Sequence, residues 1–197
     1  MNKNGKSKKE EDVFIDALKQ ICKRVAGDEN KKVTFRVESF DKKVLARGHR
    51  RAIKEILTQL VRNAVFHGIE TPEERKALGK DEEGKITLNI KAENGVIRLI
   101  LADDGQGLDF DRIAQKATEK GLLKNPDTDK NNKQILSNII FNTGFSTSEK
   151  EDLHGGRGIG LNLVRDSLKE IQGNIHLNSQ KGHGLTFEIT IPYKESN

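Results

Sequence analysis

The sequence lacks tryptophan altogether and has a single cysteine, a single methionine and a single tyrosine among 197 residues. One cysteine, Cys22, cannot form an intrachain disulfide, which excludes a disulfide-stapled fold and predicts a cytoplasmic setting. No stretch approaches the roughly 20 apolar residues that a membrane span needs. The Lys/Asn-rich start of the chain has no apolar core, so no signal peptide and no membrane insertion are predicted.

Aromatic residues are also scarce, at 5% of the chain, whereas charged residues make up 33%. The net charge of +5 comes from 35 Lys and Arg against 30 Asp and Glu, and a basic balance can indicate nucleic-acid binding. Both signs are mixed along the chain, however, and no aromatic residues alternate with the basic ones as a stacking platform requires. We therefore expect an ordinary solvated surface and no nucleic-acid partner.

Hydrophobic periodicity predicts one α+β domain. The polar residues 1–11 predict a disordered basic tail, and residues 12–197 a single domain. Helical spacing predicts helices over residues 13–26, 50–67, 111–120, 133–141 and 161–172, with a helical turn at 72–78. Alternation predicts strands over residues 32–39, 85–92, 96–102, 174–179 and 185–191. This order of strand pairs and helices favours a mixed or antiparallel sheet with helices on one face.

The long helix predicted over residues 50–67 carries three polar side chains at four-residue intervals, Gln59, Asn63 and His67. This spacing places them in one stripe beside the apolar face of the helix. Asn63 offers a neutral oxygen that Mg²⁺ accepts beside phosphate oxygens, and His67 offers a donor to phosphate. The alternative is a polar stripe that only faces solvent.

A second motif, DDGQG at residues 103–107, directly follows an apolar strand. The Asp103 carboxylate could accept a hydrogen bond from an exocyclic amine such as adenine N6. Gly105 and Gly107 allow the backbone to turn sharply and approach a flat ligand. The alternative is an ordinary Asp/Gly turn; a calcium loop is disfavoured because the EF-hand spacing and its terminal Glu are missing.

Two further glycine-rich motifs follow. Residues 155–160 (GGRGIG) open a helix, whose free N–H groups and dipole would attract phosphate. They match neither the P-loop spacing nor a dinucleotide fingerprint, and a flexible linker is the alternative. Residues 182–187 (GHGLTF) enter the final strand, which by itself indicates only a turn. Hydroxyl and ammonium groups at residues 144–150 could contact a polyphosphate.

In their order along the chain, these four motifs resemble the N, G1, G2 and G3 boxes of the GHKL ATPases. That superfamily comprises gyrase-type topoisomerases, chaperones, histidine kinases and MutL. Within it, the runs LVRNA at 60–64 and HGIE at 67–70 are similar to CheA-type chemotaxis histidine kinases, as are EER at 73–75 and GK at 79–80. Residues 141–150 resemble the F-box of that family, and the whole resemblance covers roughly residues 13–193.

The resemblance implies a Bergerat-type two-layer α/β sandwich that holds Mg-ATP between the helix layer and a lid. It implies that Asn63 holds Mg²⁺, that Asn63 and His67 are catalytic, and that Asp103 receives adenine N6. The ATP-binding residues that it implies are Gln59, Asn63, His67, Asp103, Gly105, Gly107, Ser146, Thr147, Lys150, Gly156, Gly158, Gly160 and Thr186.

The implied reaction is transfer of the γ-phosphate of ATP to a histidine on a separate domain or chain, with a response regulator as the downstream partner. The sequence shows no pattern for a dimerisation hairpin, a phosphoacceptor helix or a coupling domain. We therefore expect dimerisation, where it occurs, to use segments outside this chain.

Four positions depart from the pattern of the family. Gln59 stands where these kinases usually have His, Phe66 where they have Asp, Ser148 where they have Lys, and Leu185 where they have Thr. These departures motivate two alternatives, an ATP-dependent binding module without phosphotransfer and an anti-sigma-type serine kinase. Gln59 also argues against a gyrase-type hydrolase, which places a Glu general base there.

Overall fold

The computed structural model describes residues 3–45, 49–145 and 160–193. Within these ranges, one five-stranded sheet has the order β1-β2-β3-β5-β4. The strands are β1 (Val33–Phe40), β2 (Gly84–Glu93), β3 (Val96–Asp103), β4 (Asn174–Gln180) and β5 (Gly184–Pro192). β1 and β2 are parallel and the other pairs are antiparallel, so the predicted mixed sheet is confirmed.

The central hairpin, β2–β3, follows directly from the sequence. Asn94 and Gly95 form its turn with positive φ angles of 51° and 73°, as expected of an Asn-Gly turn that matches the twist of the strands. Alternate residues of both strands are buried. One face of the hairpin therefore belongs to the core, and the other face is more exposed.

The helices form the second layer. Their bounds are α1 (Lys3–Asp28), α2 (Arg50–Asn63), α3 (Pro72–Ala77), α4 (Phe110–Glu119), α5 (Pro126–Asp129), α6 (Lys133–Ile139) and α7 (Leu161–Glu170), with a 3₁₀ turn at Lys42–Leu45. α2 contacts both α1 and α7, and its apolar face joins one core cluster with the inner faces of the strands. This arrangement is the predicted two-layer sandwich.

Two helix boundaries differ from the predictions. α1 begins at Lys3 rather than near Val13, so the backbone of the predicted disordered tail is helical from that residue. The helix predicted over residues 50–67 is α-helical only to Asn63 and continues as a π turn over Ala64–Gly68. Among the described residues, no helix is long and apolar enough to cross a membrane.

Candidate nucleotide-binding site

The π turn (Ala64–Gly68) reshapes the end of the helix that carries the polar stripe. The Ile69 amide donates to the Ala64 carbonyl at 2.8 Å, a bond that closes a wider turn than in an α-helix. Residues four apart in an α-helix are offset around the helix axis, because one turn takes 3.6 residues. A wider turn reduces this offset. Gln59 and Asn63 are half-buried and His67 is exposed.

The last four carbonyls of this helix, which have no partners within it, accept hydrogen bonds from two other parts of the chain. Lys31 Nζ donates to the carbonyls of Val65 and Phe66 at 2.9 and 2.6 Å. Gln106 donates from Nε2 to the His67 carbonyl at 2.6 Å and from its amide to the Gly68 carbonyl at 2.8 Å. The helix end is thus fixed to the loop that follows β3.

Asp103 ends β3 with its carboxylate pointing at this helix end. The residue is 9% exposed, and its Oδ1 accepts a hydrogen bond from the Gly105 amide at 3.0 Å. A Cβ added at Gly68 would lie only 3.2 Å from Asp103 Oδ1, so the carboxylate lies directly beside the backbone of the π turn. The structure therefore brings the second motif against the first.

Burial raises the pKa of Asp103 to about 7, because desolvation disfavours the charged carboxylate. Hydrogen bonds from the backbone of Gly105 and Leu185 oppose this increase, whereas the neighbouring carboxylates of Asp104 and Glu70 reinforce it. A buried carboxyl whose pKa is this far from its ordinary value is a candidate functional group.

Two glycines of the loop after β3 are required by geometry. A Cβ on Gly105 would lie 2.1 Å from the Gly68 carbonyl oxygen, so only glycine allows the loop to approach the helix end this closely. Gly107 has a φ of +67°, and a Cβ there would lie 2.4 Å from the Gln180 carbonyl oxygen. These two positions hold the loop between the π turn and the β4–β5 turn.

Asp104 points away from Asp103 into a cluster of charged side chains, which we call the ion cluster: Glu70, Arg75, Lys80 and Asp104. Arg75 is 2% exposed and binds both Asp104 oxygens, at 3.2 and 3.0 Å. It also donates to Glu70 Oε2 at 3.1 Å. Lys80 Nζ donates to Glu70 Oε1 at 2.7 Å and to the carbonyls of Asp104 and Gly105 at 3.0 and 2.9 Å.

Sequence reasoning missed the role of this cluster, although the EER and GK runs that contain Arg75 and Lys80 had been noticed as part of the resemblance. Apart from that resemblance, the available signal was the concentration of charged residues in and after the helical turn predicted at 72–78. Arg75 lies within α3, whose start is fixed by a capping box between Thr71 and Glu74. The cluster therefore holds the loop after β3 from the side opposite to Asp103.

Asn63 lies beside the start of α7. A Cβ added at Gly160, the N-cap of α7, would lie 3.1 Å from Asn63 Oδ1. The amide side chain thus adjoins a helix N-terminus, where free N–H groups and the helix dipole favour an anion. Among the sequence-predicted residues, Asn63 and Gly160 are brought together by the packing of α7 on α2.

The backbone of Thr186 is next to Leu185, the ladder partner of Asp103, but its side chain does not share a face with Asp103. Thr186 pairs with Ala102 across the β3–β5 ladder, whereas Asp103 pairs with Leu185. Since opposite residues share a face and neighbours alternate, the Thr186 side chain lies on the other face of the sheet. The alternation of apolar Leu185 and Phe187 with polar Thr186 and Glu188 could have revealed this from the sequence.

Five of the predicted ATP-binding residues lie outside the described residues, and their roles stay predictions: Ser146, Thr147, Lys150, Gly156 and Gly158. The structure describes the remaining eight. Of these, Gln59, Asn63 and His67 line one helix, Asp103, Gly105 and Gly107 form the loop against its end, and Gly160 adjoins Asn63.

The mixed sheet, the polar helix end and the buried aspartate loop define an ATPase-type nucleotide-binding domain of the α/β-sandwich class. The profile of the family described as "Histidine kinase-, DNA gyrase B-, and HSP90-like ATPase" matches residues 48–195. The chain belongs to this family.

Among curated proteins, the chain is similar to chemotaxis protein CheA of Halobacterium salinarum, with 35% identity over 179 residues. That match covers 91% of this chain and 27% of the relative. CheA of Rhizobium meliloti is 39% identical over 140 residues, which cover 71% of this chain and 18% of the relative. The chain thus spans about a quarter or less of the length of these relatives.

Solved structures support the fold. The catalytic domain of histidine kinase ThkA, in a nucleotide-free form, superposes with a TM-score of 0.51 at 18% identity and covers 92% of both chains. Full-length ShkA in complex with AMPPNP also gives a TM-score of 0.51 at 18% identity, over 91% of this chain and 30% of that one. At this identity the likeness shows the fold alone.

Proposed function

We propose that this chain is the ATP-binding catalytic domain of a chemotaxis-type histidine kinase, which transfers the γ-phosphate of ATP to a histidine on another domain or chain. One observation carries the proposal. The buried Asp103 carboxylate lies directly against Gly68, at the end of the helix that carries Asn63 and His67. A group suited to recognise the base and groups suited to contact the phosphates thus lie along one helix and at its end.

In this proposal Asp103 accepts a hydrogen bond from the exocyclic amine of adenine, and Gly105 and Gly107 let the backbone approach the base. Gln59, Asn63 and His67 lie on the phosphate side, beside the start of α7. The α7 N-terminus would then receive the negative charge of the phosphates. Thr186 contributes backbone rather than side-chain surface, because its side chain is on the far face of the sheet.

The chemistry of Asn63 fits Mg²⁺, which prefers oxygen ligands and keeps several waters when it binds with substrate phosphates. Among the described residues, no cluster of three or more His, Cys, Asp or Glu side chains could hold a metal. An ion that arrives with the nucleotide does not require such a cage. Asn63 would hold it through its amide oxygen, and it would neutralise charge on the phosphates.

The proposed reaction is a substitution at the γ-phosphorus. A ring nitrogen of the acceptor histidine attacks, the bond from phosphorus to the bridging oxygen breaks, and ADP leaves with that oxygen. The imidazole loses its N–H proton, so the product is a neutral ring that carries a phosphoryl group. The chain contributes positioning and charge stabilisation, which are the main terms in phosphoryl transfer.

The test is phosphotransfer from γ-labelled ATP to histidine-bearing phosphoacceptor domains, followed by acid and base treatment of the labelled product. We expect an acid-labile, base-stable label that is lost in Asn63→Ala. An acid-stable label on serine would favour the anti-sigma-type kinase instead. Tight ATP binding without any labelled acceptor would favour the binding module that the departures at Gln59 and Phe66 suggest. A response regulator as the next acceptor is tested in the same assay.

A further inference from the structure

Lys31 lies outside the four motifs, and its two hydrogen bonds join it to the π turn at the end of α2. Lys31 Nζ donates to the carbonyls of Val65 and Phe66, which are 34 and 35 positions away in the sequence. Hydrogen bonds from a charged donor are about twice as strong as those between neutral groups. The ammonium group therefore caps the carbonyl end of the π turn, where the helix dipole also favours positive charge.

The position of Lys31 is itself fixed by the end of α1. Asn30 adopts a left-handed conformation with φ of 53°, which ends the helix. The Lys31 amide then donates to the Ala26 carbonyl at 2.8 Å. Since β1 begins at Val33, the chain is held on both sides of Lys31, and the side chain is directed at the π turn by a rigid connection.

The other two terminal carbonyls of the same turn connect it to the loop that contains Asp103. Gln106 binds the carbonyls of His67 and Gly68, and Gly68 lies beside the Asp103 carboxylate. A displacement of the π turn would therefore move His67 and alter the space beside Asp103. Lys31 acts on one pair of carbonyls, and Gln106 acts on the other pair.

We propose that Lys31 is a positioning residue for nucleotide binding: it holds the π turn so that the Asp103 loop and the polar stripe of the helix keep the spacing that a nucleotide requires. The inference rests on the proposed nucleotide-binding function. It also makes the C-terminal end of α1 a mechanical support of the site.

The experiment compares Lys31→Met with Lys31→Arg and with a matched control, Lys32→Met. Lys32 is the neighbouring lysine, and its ammonium pairs with Glu82 on an exposed surface. ATP affinity is measured by calorimetric titration. Amide hydrogen exchange is measured without nucleotide at Ile69 and Gln106, whose N–H groups bond the Ala64 and Gly68 carbonyls.

We expect Lys31→Met to weaken ATP binding by about tenfold and to speed exchange at Ile69 and Gln106 relative to the sheet. Lys31→Arg retains donors for both carbonyls and should recover affinity to within about threefold of the wild type. Lys32→Met should stay within about twofold.

Unchanged ATP affinity in Lys31→Met would overturn the proposal. So would a uniform increase of exchange across the sheet, since that pattern indicates a general loss of stability rather than a local displacement. Failure of the proposed function gives a different result: the wild-type chain would bind no ATP. The exchange comparison would then still decide whether Lys31 holds the turn.

Discussion

Two adjacent carboxylates, Asp103 and Asp104, leave the same strand and enter opposite environments. The Asp103 carboxylate accepts from the Gly105 backbone and lies against Gly68. The Asp104 carboxylate binds Arg75 with both oxygens and also accepts from the Lys85 amide at 2.8 Å. Side-chain partners therefore distinguish the two residues, whereas their sequence context does not.

The more buried of the two aspartates would be expected to have the more side-chain partners, but the opposite is found. Asp103 is 9% exposed, whereas the Asp104 side chain is 37% exposed, yet Asp104 is the residue that is fully engaged in holding structure. Burial, with no cation among the described residues paired to it, leaves Asp103 with a raised pKa and with capacity to accept a hydrogen bond from a ligand. The ion cluster on the other side keeps that carboxylate in place.

The largest effect is expected from a variant that removes Arg75, the centre of the ion cluster. Arg75→Met removes the cation that Glu70 and Asp104 share, while Lys80 still binds Glu70. Breaking a buried ion pair costs about 3–5 kcal/mol, and because part of the charge stays compensated we expect a loss at the lower end, about 3 kcal/mol. We expect a lower midpoint in urea unfolding. We also expect the loop after β3 to lose the position in which the ion cluster holds it.

The matched control is Lys76→Met, one residue further along α3. The Lys76 ammonium is 3.7 Å from Glu82 and the side chain is 77% exposed. An exposed pair of this kind contributes about 0–1 kcal/mol. Equal losses of stability in Arg75→Met and Lys76→Met would contradict the structural role of the cluster.

A smaller effect is expected from Asp104→Asn. The amide keeps one oxygen acceptor but loses the charge that pairs with Arg75, so we expect a loss of about 1–3 kcal/mol in the free energy of unfolding. ATP affinity of the folded variant should change by less than about threefold. A large loss of affinity in a variant of undiminished stability would show that Asp104, and not Asp103, contacts the base.

The raised pKa of Asp103 also predicts a pH dependence of the free energy of unfolding. Folding raises the pKa of Asp103 from 3.8 to about 7, so the folded protein holds this proton more tightly than the unfolded chain does. The resulting stabilisation is complete below about pH 4 and is lost as the pH rises to about 7. Its slope is at most about 1.4 kcal/mol per pH unit.

Asp103→Asn replaces the titrating carboxyl with an amide, so the variant does not lose stability as this group ionises. The stability of the variant relative to the wild type should therefore increase between pH 5 and 7 and level off above pH 7. Urea unfolding across that range measures the difference. A relative stability that does not vary with pH would mean that the Asp103 carboxyl titrates as it does in the unfolded chain.

Much of the fold could be predicted because it depends on local patterns. Alternation predicted β2 and β3, and Asn94 and Gly95 marked their turn. Helical spacing located α2 but not the π turn, whose carbonyls accept hydrogen bonds from Lys31 and Gln106, two residues that are distant in sequence. No helical pattern contains such information.

The candidate site shows the same division. Residue types and spacing marked Asn63, His67 and Asp103 as candidates but left a solvent-facing stripe and an ordinary turn open, and their roles in nucleotide binding came from the resemblance to the GHKL motifs. The partnership of Arg75 with Asp104 was missed, since it joins residues that are 29 positions apart through tertiary packing. The motif did not show which face of the sheet the Thr186 side chain occupies, because the strand register decides which side chains face the helices.

The central claim is that Asp103 recognises the base while Asp104 anchors the loop, and calorimetric titration of ATP and GTP into the two folded Asn variants tests it directly. Guanine presents a carbonyl where adenine presents its amine. We predict that Asp103→Asn weakens ATP binding by at least about tenfold and reduces the preference for ATP over GTP, whereas Asp104→Asn keeps that preference. Unchanged discrimination in Asp103→Asn, or a greater loss in Asp104→Asn, would contradict the claim.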